Sequence, residues 1–233
     1  QKIGTKGVVK NLTLRNVYGL CEQSGLFCNV NKGTIENCHI SGYVYGNQAS
    51  GFCSVNQGTI TSCSATIYAD GTKSNIVKGF CGTTDGTITN CVAHTTYNTN
   101  GVNNVEFSGF CSDIASVVTN CSSVSTIISS TSGSSYYSFV KTCTSPGVTG
   151  NYAYLTPSNI ITAEYHSSFP NSFTPVTDVA AIPHYYDNDG LCLLHNDGEA
   201  PKLNTADNYY EIKNAGNLKW FAQTVNGGQK SLN

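Results

Sequence analysis

Methionine is absent from this 233-residue chain, tryptophan occurs once, and charged residues make up 11%, against about 25% in an average soluble domain. The only arginine is Arg15. Each shortage excludes something. With no Met and no leader peptide, the chain is expected to begin inside a larger polypeptide. Nucleic-acid binding needs clustered Lys and Arg to displace counterions from phosphates. Here the cations are scattered and the formal net charge is −2, so nucleic acid is not an expected partner. No apolar run approaches the roughly 20 residues that span a bilayer, so direct membrane insertion is not expected either. Few charges combined with 39% hydrophobic residues is also the wrong mixture for disorder. Ser, Thr, Asn and Gly fill the gap, and their short side chains favour turns and stacked strands over helices.

What is present is a repeat, and repeats decide architecture before anything else. Four segments align without gaps: Leu26-Phe27-Cys28 to Cys38, Gly51-Phe52-Cys53 to Cys63, Gly79-Phe80-Cys81 to Cys91, and Gly109-Phe110-Cys111 to Cys121. Nine residues separate the two cysteines in each. Three copies carry Gly-Thr-Ile at one offset, beginning at Gly33, Gly58 and Gly86, and the fourth has Ser116-Val117-Val118. Degenerate copies flank them, with Leu12 in the second cysteine position and Val140 in the first. First cysteines follow one another at 25, 28 and 30 residues, and the variable part lies after the second cysteine.

Short β-suited runs bounded by Asn31-Lys32-Gly33, Asn56-Gln57-Gly58 and Thr84-Asp85-Gly86 read as strands joined by turns. Glycine there is expected to supply a positive φ. One such unit cannot bury its apolar face alone, whereas stacked units bury a continuous core. Equivalent residues should then stand about 4.8 Å apart in columns. The columns are Phe27/Phe52/Phe80/Phe110/Phe139, Val9/Ile35/Ile60/Ile88/Val118 and Asn11/Asn37/Ser62/Asn90/Asn120. The Asn column is expected to bond along its own ladder of side chains, which outweighs a glycan reading of the sequons at Asn11 and Asn120.

The run from Gly25 to Cys38 and its three copies resemble the GLUG motif, a repeat of bacterial surface and secreted proteins, over roughly residues 7 to 150. The resemblance implies an all-β fold, a right-handed parallel β-helix (solenoid) of five to six rungs, in adhesin-like surface proteins. Where that family commonly carries an aliphatic-Gly pair, this chain has Phe-Cys. The implied location is extracellular or at the cell surface, as part of a larger polypeptide.

Three regions follow: repeats over 1–155, an irregular segment with short strands over 156–205, and a strand plus a short amphipathic helix over 206–233. That helix, with Leu218, Phe221, Ala222 and Val225 on one face, either caps the solenoid or precedes a further array.

Eleven cysteines are many for this length. Close Cys-x2-Cys pairs are missing, so neither zinc nor any other cofactor is expected. Two structural readings stay open. In one, Cys28/Cys53/Cys81/Cys111 and Cys38/Cys63/Cys91/Cys121 are reduced, stacked columns of small apolar residues, as Leu12 and Val140 suggest. In the other, each copy closes its own disulfide, Cys28 to Cys38 and so on, which a secreted setting permits. The first is preferred. Asp187 and Asp189 resemble half of a calcium loop but read better as a polar turn. Glu22, Glu36, Asp70, Asp85, Glu106 and Asp113 fall at unrelated offsets, and the five His lack the context of a triad, so no catalytic residue is assigned. The stretches after the second cysteine bear Tyr43, Tyr45, Tyr68, Tyr97, Tyr136 and Tyr137, expected to form a loop ridge for a glycan or a host or cell-surface protein. The leading expectation is a non-catalytic extracellular module, adhesin-like or a stalk. The alternative is a polysaccharide-active enzyme on the same scaffold.

Overall fold

A computed structural model describes residues 2–20, 23–161 and 172–182, together with the backbone of four short strands beyond them. The chain winds as an all-β parallel solenoid of about five turns, with two lone 3-10 turns, Ser158–Ile160 and Val179–Ala181, and no α-helix among the described residues. The helix expected over 217–225 lies outside them.

Five successive coils each contribute one strand to each of four parallel sheets, and further strands extend the first three. The first sheet is Lys2–Ile3, Cys28–Asn31, Cys53–Asn56, Cys81–Thr84, Cys111–Ile114 and Val140–Cys143. The second is Val8–Lys10, Thr34–Glu36, Thr59–Thr61, Thr87–Thr89, Val118–Thr119 and Val148–Thr149. The third is Thr13–Leu20, His39–Tyr45, Ser64–Asp70, Val92–Asn98, Ser122–Ile128, Tyr152–Thr156 and Thr174–Pro175. The fourth is Gln23–Gly25, Gln48–Ser50, Ile76–Lys78, Glu106–Ser108 and Ser135–Tyr137. The register is that of the sequence repeat: Cys28 pairs with Cys53, Cys53 with Cys81, Cys81 with Cys111 and Cys111 with Val140.

The core is made of columns because a parallel in-register sheet places like on like. Phe27, Phe52, Phe80, Phe110 and Phe139 stack with centroids 4.6 to 4.9 Å apart and planes within 5°. Phe173 continues the row at 5.5 Å. It belongs to the 156–205 segment, so part of that segment closes the solenoid's end. Thr174–Pro175 pairs with Tyr152 and Ala153 there, and a proline at a sheet edge withholds an N–H from further pairing. The opposite edge, Thr13–Leu20, carries a register shift between Leu14 and Val17. Exposed Arg15 and Asn16 occupy that bulge, and a charged bulge blunts an edge in the same way.

Two expectations about the turns need correcting. Gly33, Gly58 and Gly86 do not adopt positive φ. They are glycine because coils approach too closely for a side chain: a Cβ on Gly58 would overlap the carbonyl oxygen of Gly33, and one on Gly86 that of Gly58. Positive φ falls four residues later, at the corner between the second and third sheets, in Asn11, Asn37, Ser62, Asn90 and Asn120, with φ of 51° to 57°. Gly150 takes the same conformation in the next coil. Asn is among the few side chains that enter this region readily, so the Asn column is chiefly a backbone requirement. A side-chain bond does join Asn37 Nδ2 to Asn11 Oδ1 at 2.7 Å, but Ser62 interrupts the row. The buried amide ladder runs elsewhere: Asn31 Nδ2 donates to Asn56 Oδ1 at 2.9 Å, and Asn56 Nδ2 to Thr84 Oγ1 at 3.1 Å.

Candidate functional site

The nine described cysteines lie inside the solenoid, and their neighbours are other coils. The nine described ones are free and buried. In the first column Cys28 Sγ and Cys53 Sγ are 3.4 Å apart. In the second, the amide of each cysteine donates to the sulfur one coil on, Cys38 to Cys63, Cys63 to Cys91 and Cys91 to Cys121, each at 3.4 Å. Asn151 ends this row: its Oδ1 accepts from Cys121 N at 2.8 Å, and its Nδ2 donates to Val118 O and Ser172 O at 2.9 Å. Cys143 sits in register with Ile114 in the first sheet. Burial pushes the Cys81 and Cys91 thiols well above their usual range. The hydrogen bond to Cys53, and then burial, do the same for Cys28. Thiols held this way are poor nucleophiles and poor targets for oxidants.

The tyrosines divide by face. Side chains alternate along a strand, so one step reverses direction. Tyr43 and Tyr68 pair in register on the third sheet and point outward, joined by Tyr18 in the coil before. Tyr18 is 65% exposed and Tyr43 40%. Their rings lie 5.2 Å apart and 4° from parallel, Tyr45 flanks both at 6.4 Å, and Tyr68 is tilted against Tyr43 at 5.1 Å. These residues lie on strands, not in loops. Tyr97 is one residue out of phase with them and faces the core at 0% exposure, its hydroxyl donating to Ser74 O at 2.7 Å. Tyr136 is likewise buried, in register with Phe107. Neither belongs to a ridge. Tyr137 is half-buried at the end of its fourth-sheet strand. The structure thus gathers Tyr18, Tyr43, Tyr45 and Tyr68 into one patch, continued along the same outward row by Thr96, Thr126 and Thr156.

The acids of the repeats are mostly occupied by local structure. Glu36 pairs with Lys10 at 2.6 Å on the surface, where such pairs contribute little. Asp70 accepts from Thr72 and Asn100, and the Thr72 hydroxyl is the main cause that lowers its pKa. Glu106 lies on a fourth-sheet strand and holds Lys141 Nζ at 2.7 Å. That hydrogen bond raises the Lys141 pKa. Glu106, Asp113 and Lys141 all act electrostatically on Lys78, whose own pKa is lowered by burial. His39 bonds Ser64 Oγ at 2.8 Å and Asn37 Oδ1 at 3.2 Å. Burial lowers the pKa of both His39 and His94. Asp187 and Asp189 lie outside the described residues. Among those described, no group of three or more His, Cys, Asp or Glu is placed to hold a metal ion, and no helix is long and apolar enough to cross a membrane. No family model, no curated protein and no solved structure matches the chain.

Proposed function

We propose that the chain is a non-catalytic, extracellular β-solenoid module, adhesin-like, which binds a protein partner through the tyrosine patch of the third sheet. The observation that carries this reading is the exposed stack of Tyr18 on Tyr43, flanked by Tyr45 and Tyr68. Soluble surfaces rarely cluster large aromatics in this way, and tyrosine is enriched at protein interfaces because it offers area and a hydroxyl at little entropic cost. A stacked sugar fits the patch less well. Tyr18 and Tyr43 lie face to face and Tyr68 is tilted against Tyr43, so neighbouring rings occupy both sides of Tyr43. Burial of the thiols is compatible with an oxidising location, since it keeps them from reacting.

The second reading, a polysaccharide-active enzyme, is favoured by one feature only, the meeting of Lys78, Glu106, Asp113 and Lys141. Against it, Glu106 is held by Lys141 rather than set opposite a second carboxylate.

The two are separated by screening panels of extracellular proteins and of polysaccharides for binding and for cleavage. The expected result is a protein ligand whose affinity falls about tenfold or more in Tyr43→Ala, as truncation of an interface tyrosine commonly does. Cleavage of any polysaccharide, or binding that ignores both Tyr18→Ala and Tyr43→Ala, would overturn it.

A further inference from the structure

The tyrosine patch carries one charge of each sign, at opposite corners, with Tyr43 at its centre. Arg15 and Asn16 fill the bulge opposite Ser41, between the pairs Leu14 with Ile40 and Val17 with Gly42. Arg15 therefore stands one coil before Tyr43 and one outward position earlier along the strand. Ala69 pairs with Val44 and is buried in the core. Asp70 follows it and turns outward, one coil after Tyr43 and one outward position later. Tyr18 and Tyr68 flank Tyr43 along the solenoid axis, and Tyr45 follows it on the same strand.

Both charges are open to a partner. Arg15 is exposed and has no ion pair or hydrogen bond among the described residues. Asp70 accepts the Thr72 amide, the Thr72 hydroxyl and the Asn100 side-chain amide, all on Oδ1, which leaves Oδ2 for a further donor. Lys73 is within electrostatic reach of Asp70 but forms no ion pair with it.

Opposite charges placed evenly about one centre make a surface complementary to itself, as a two-fold interface requires. One axis satisfies this. It passes through Tyr43 in the plane of the sheet, at right angles to the line from Arg15 to Asp70, and lays a second copy face to face on the first. Arg15 of each copy then lies over Asp70 of the other, Tyr43 over Tyr43, and Tyr18 near Tyr45. The two sheets cross steeply, as in orthogonal sheet packing. Axes along the strands or along the solenoid set both charges over uncharged positions instead.

We propose, resting on the reading of the patch as a protein-binding surface, that its partner is a second copy of this chain, seated in this crossed arrangement with reciprocal Arg15–Asp70 pairs. The tyrosines supply the buried area, and the charge pairs fix orientation more than strength. Three coils by three outward positions span roughly 10 by 14 Å at the usual strand dimensions, well under the roughly 800 Å² per partner of a standard interface. The dimer is therefore weak, and gains when several copies are displayed together.

The test is sedimentation equilibrium from roughly 10 μM to 1 mM, where a small interface associates. A monomer–dimer equilibrium is expected. Tyr43→Ala should weaken it about tenfold or more. Arg15→Glu, on an exposed bulge, should do the same by setting like charges opposite each other. Asp70→Asn, which keeps the Oδ1 acceptor, should weaken the dimer of the unmodified chain but tighten that of Arg15→Glu, because it removes the repulsion. Such a change of sign arises only where the two residues meet. Amide shifts of the unmodified protein should change on dilution at Arg15, Tyr18, Tyr43, Tyr45 and Asp70. A dimer indifferent to Arg15→Glu, Asp70→Asn acting alike in both backgrounds, or dilution shifts confined to another sheet would each overturn the proposal. A chain that stays monomeric yet binds a different protein through Tyr43 would overturn it and leave the reading of the patch standing. A monomer with no Tyr43-dependent protein ligand would overturn both.

Discussion

Phe80→Ala is expected to destabilise the solenoid by about 3–5 kcal/mol, the range for emptying a fully buried aromatic site. Phe80 is wholly buried and has a ring on each side, Phe52 and Phe110, both at 4.8 Å. Its neighbours are held by in-register backbone pairing, so the cavity cannot collapse without breaking the ladder. Phe27→Ala should cost clearly less, because Phe27 ends the row and stacks on Phe52 alone among the described rings. Urea unfolding of the two variants measures both losses. Equal losses would mean that the column contributes by area alone and not by enclosure.

Gly79→Ala should be nearly as damaging, at about 3 kcal/mol or more, the upper range for overpacking. A Cβ there would overlap the carbonyl oxygen of Gly109 and stand 2.9 Å from Thr95 Oγ1. The carbonyl cannot move aside, since it belongs to the next coil's backbone. The comparison is Gly101→Ala, where φ is +77° and nothing lies within 4 Å. Only the left-handed conformation opposes that change, at about 1–2 kcal/mol. Each coil touches mainly its neighbours, so a break at Gly79 should also reduce cooperativity, seen as a broadened transition. A Gly79→Ala loss no larger than that of Gly101→Ala would show that the coils are not as closely spaced as described.

The columns were readable in the sequence because the two cysteines of each coil keep a constant separation, which holds the first and second sheets in phase. Beyond the second cysteine the phase drifts with length. Tyr43 and Tyr68 stand five residues after Cys38 and Cys63, but Tyr97 stands six after Cys91, and one step turns it from surface to core. That count was available and predicts the difference. Tyr18 follows Leu12 by six and still faces outward, because the bulge at Arg15-Asn16 absorbs the extra residue. Only the 25-residue step from Tyr18 to Tyr43 to Tyr68 points to it. The ion pair of Glu106 with Lys141 was not legible, because the two come from different coils, 35 residues apart and at unrelated offsets. The turn glycines misled for another reason: glycine answers both to positive φ and to close approach, and a sequence does not distinguish the two.

That equivalent residues of neighbouring coils, not residues within one coil, are each other's partners is tested most directly by counting thiols in denatured, unreduced protein. At least nine of the eleven cysteines should titrate once the chain is unfolded, and very few in the native state, where burial covers them. A denatured count near zero, with Cys28 linked to Cys38 and Cys53 to Cys63, would contradict it.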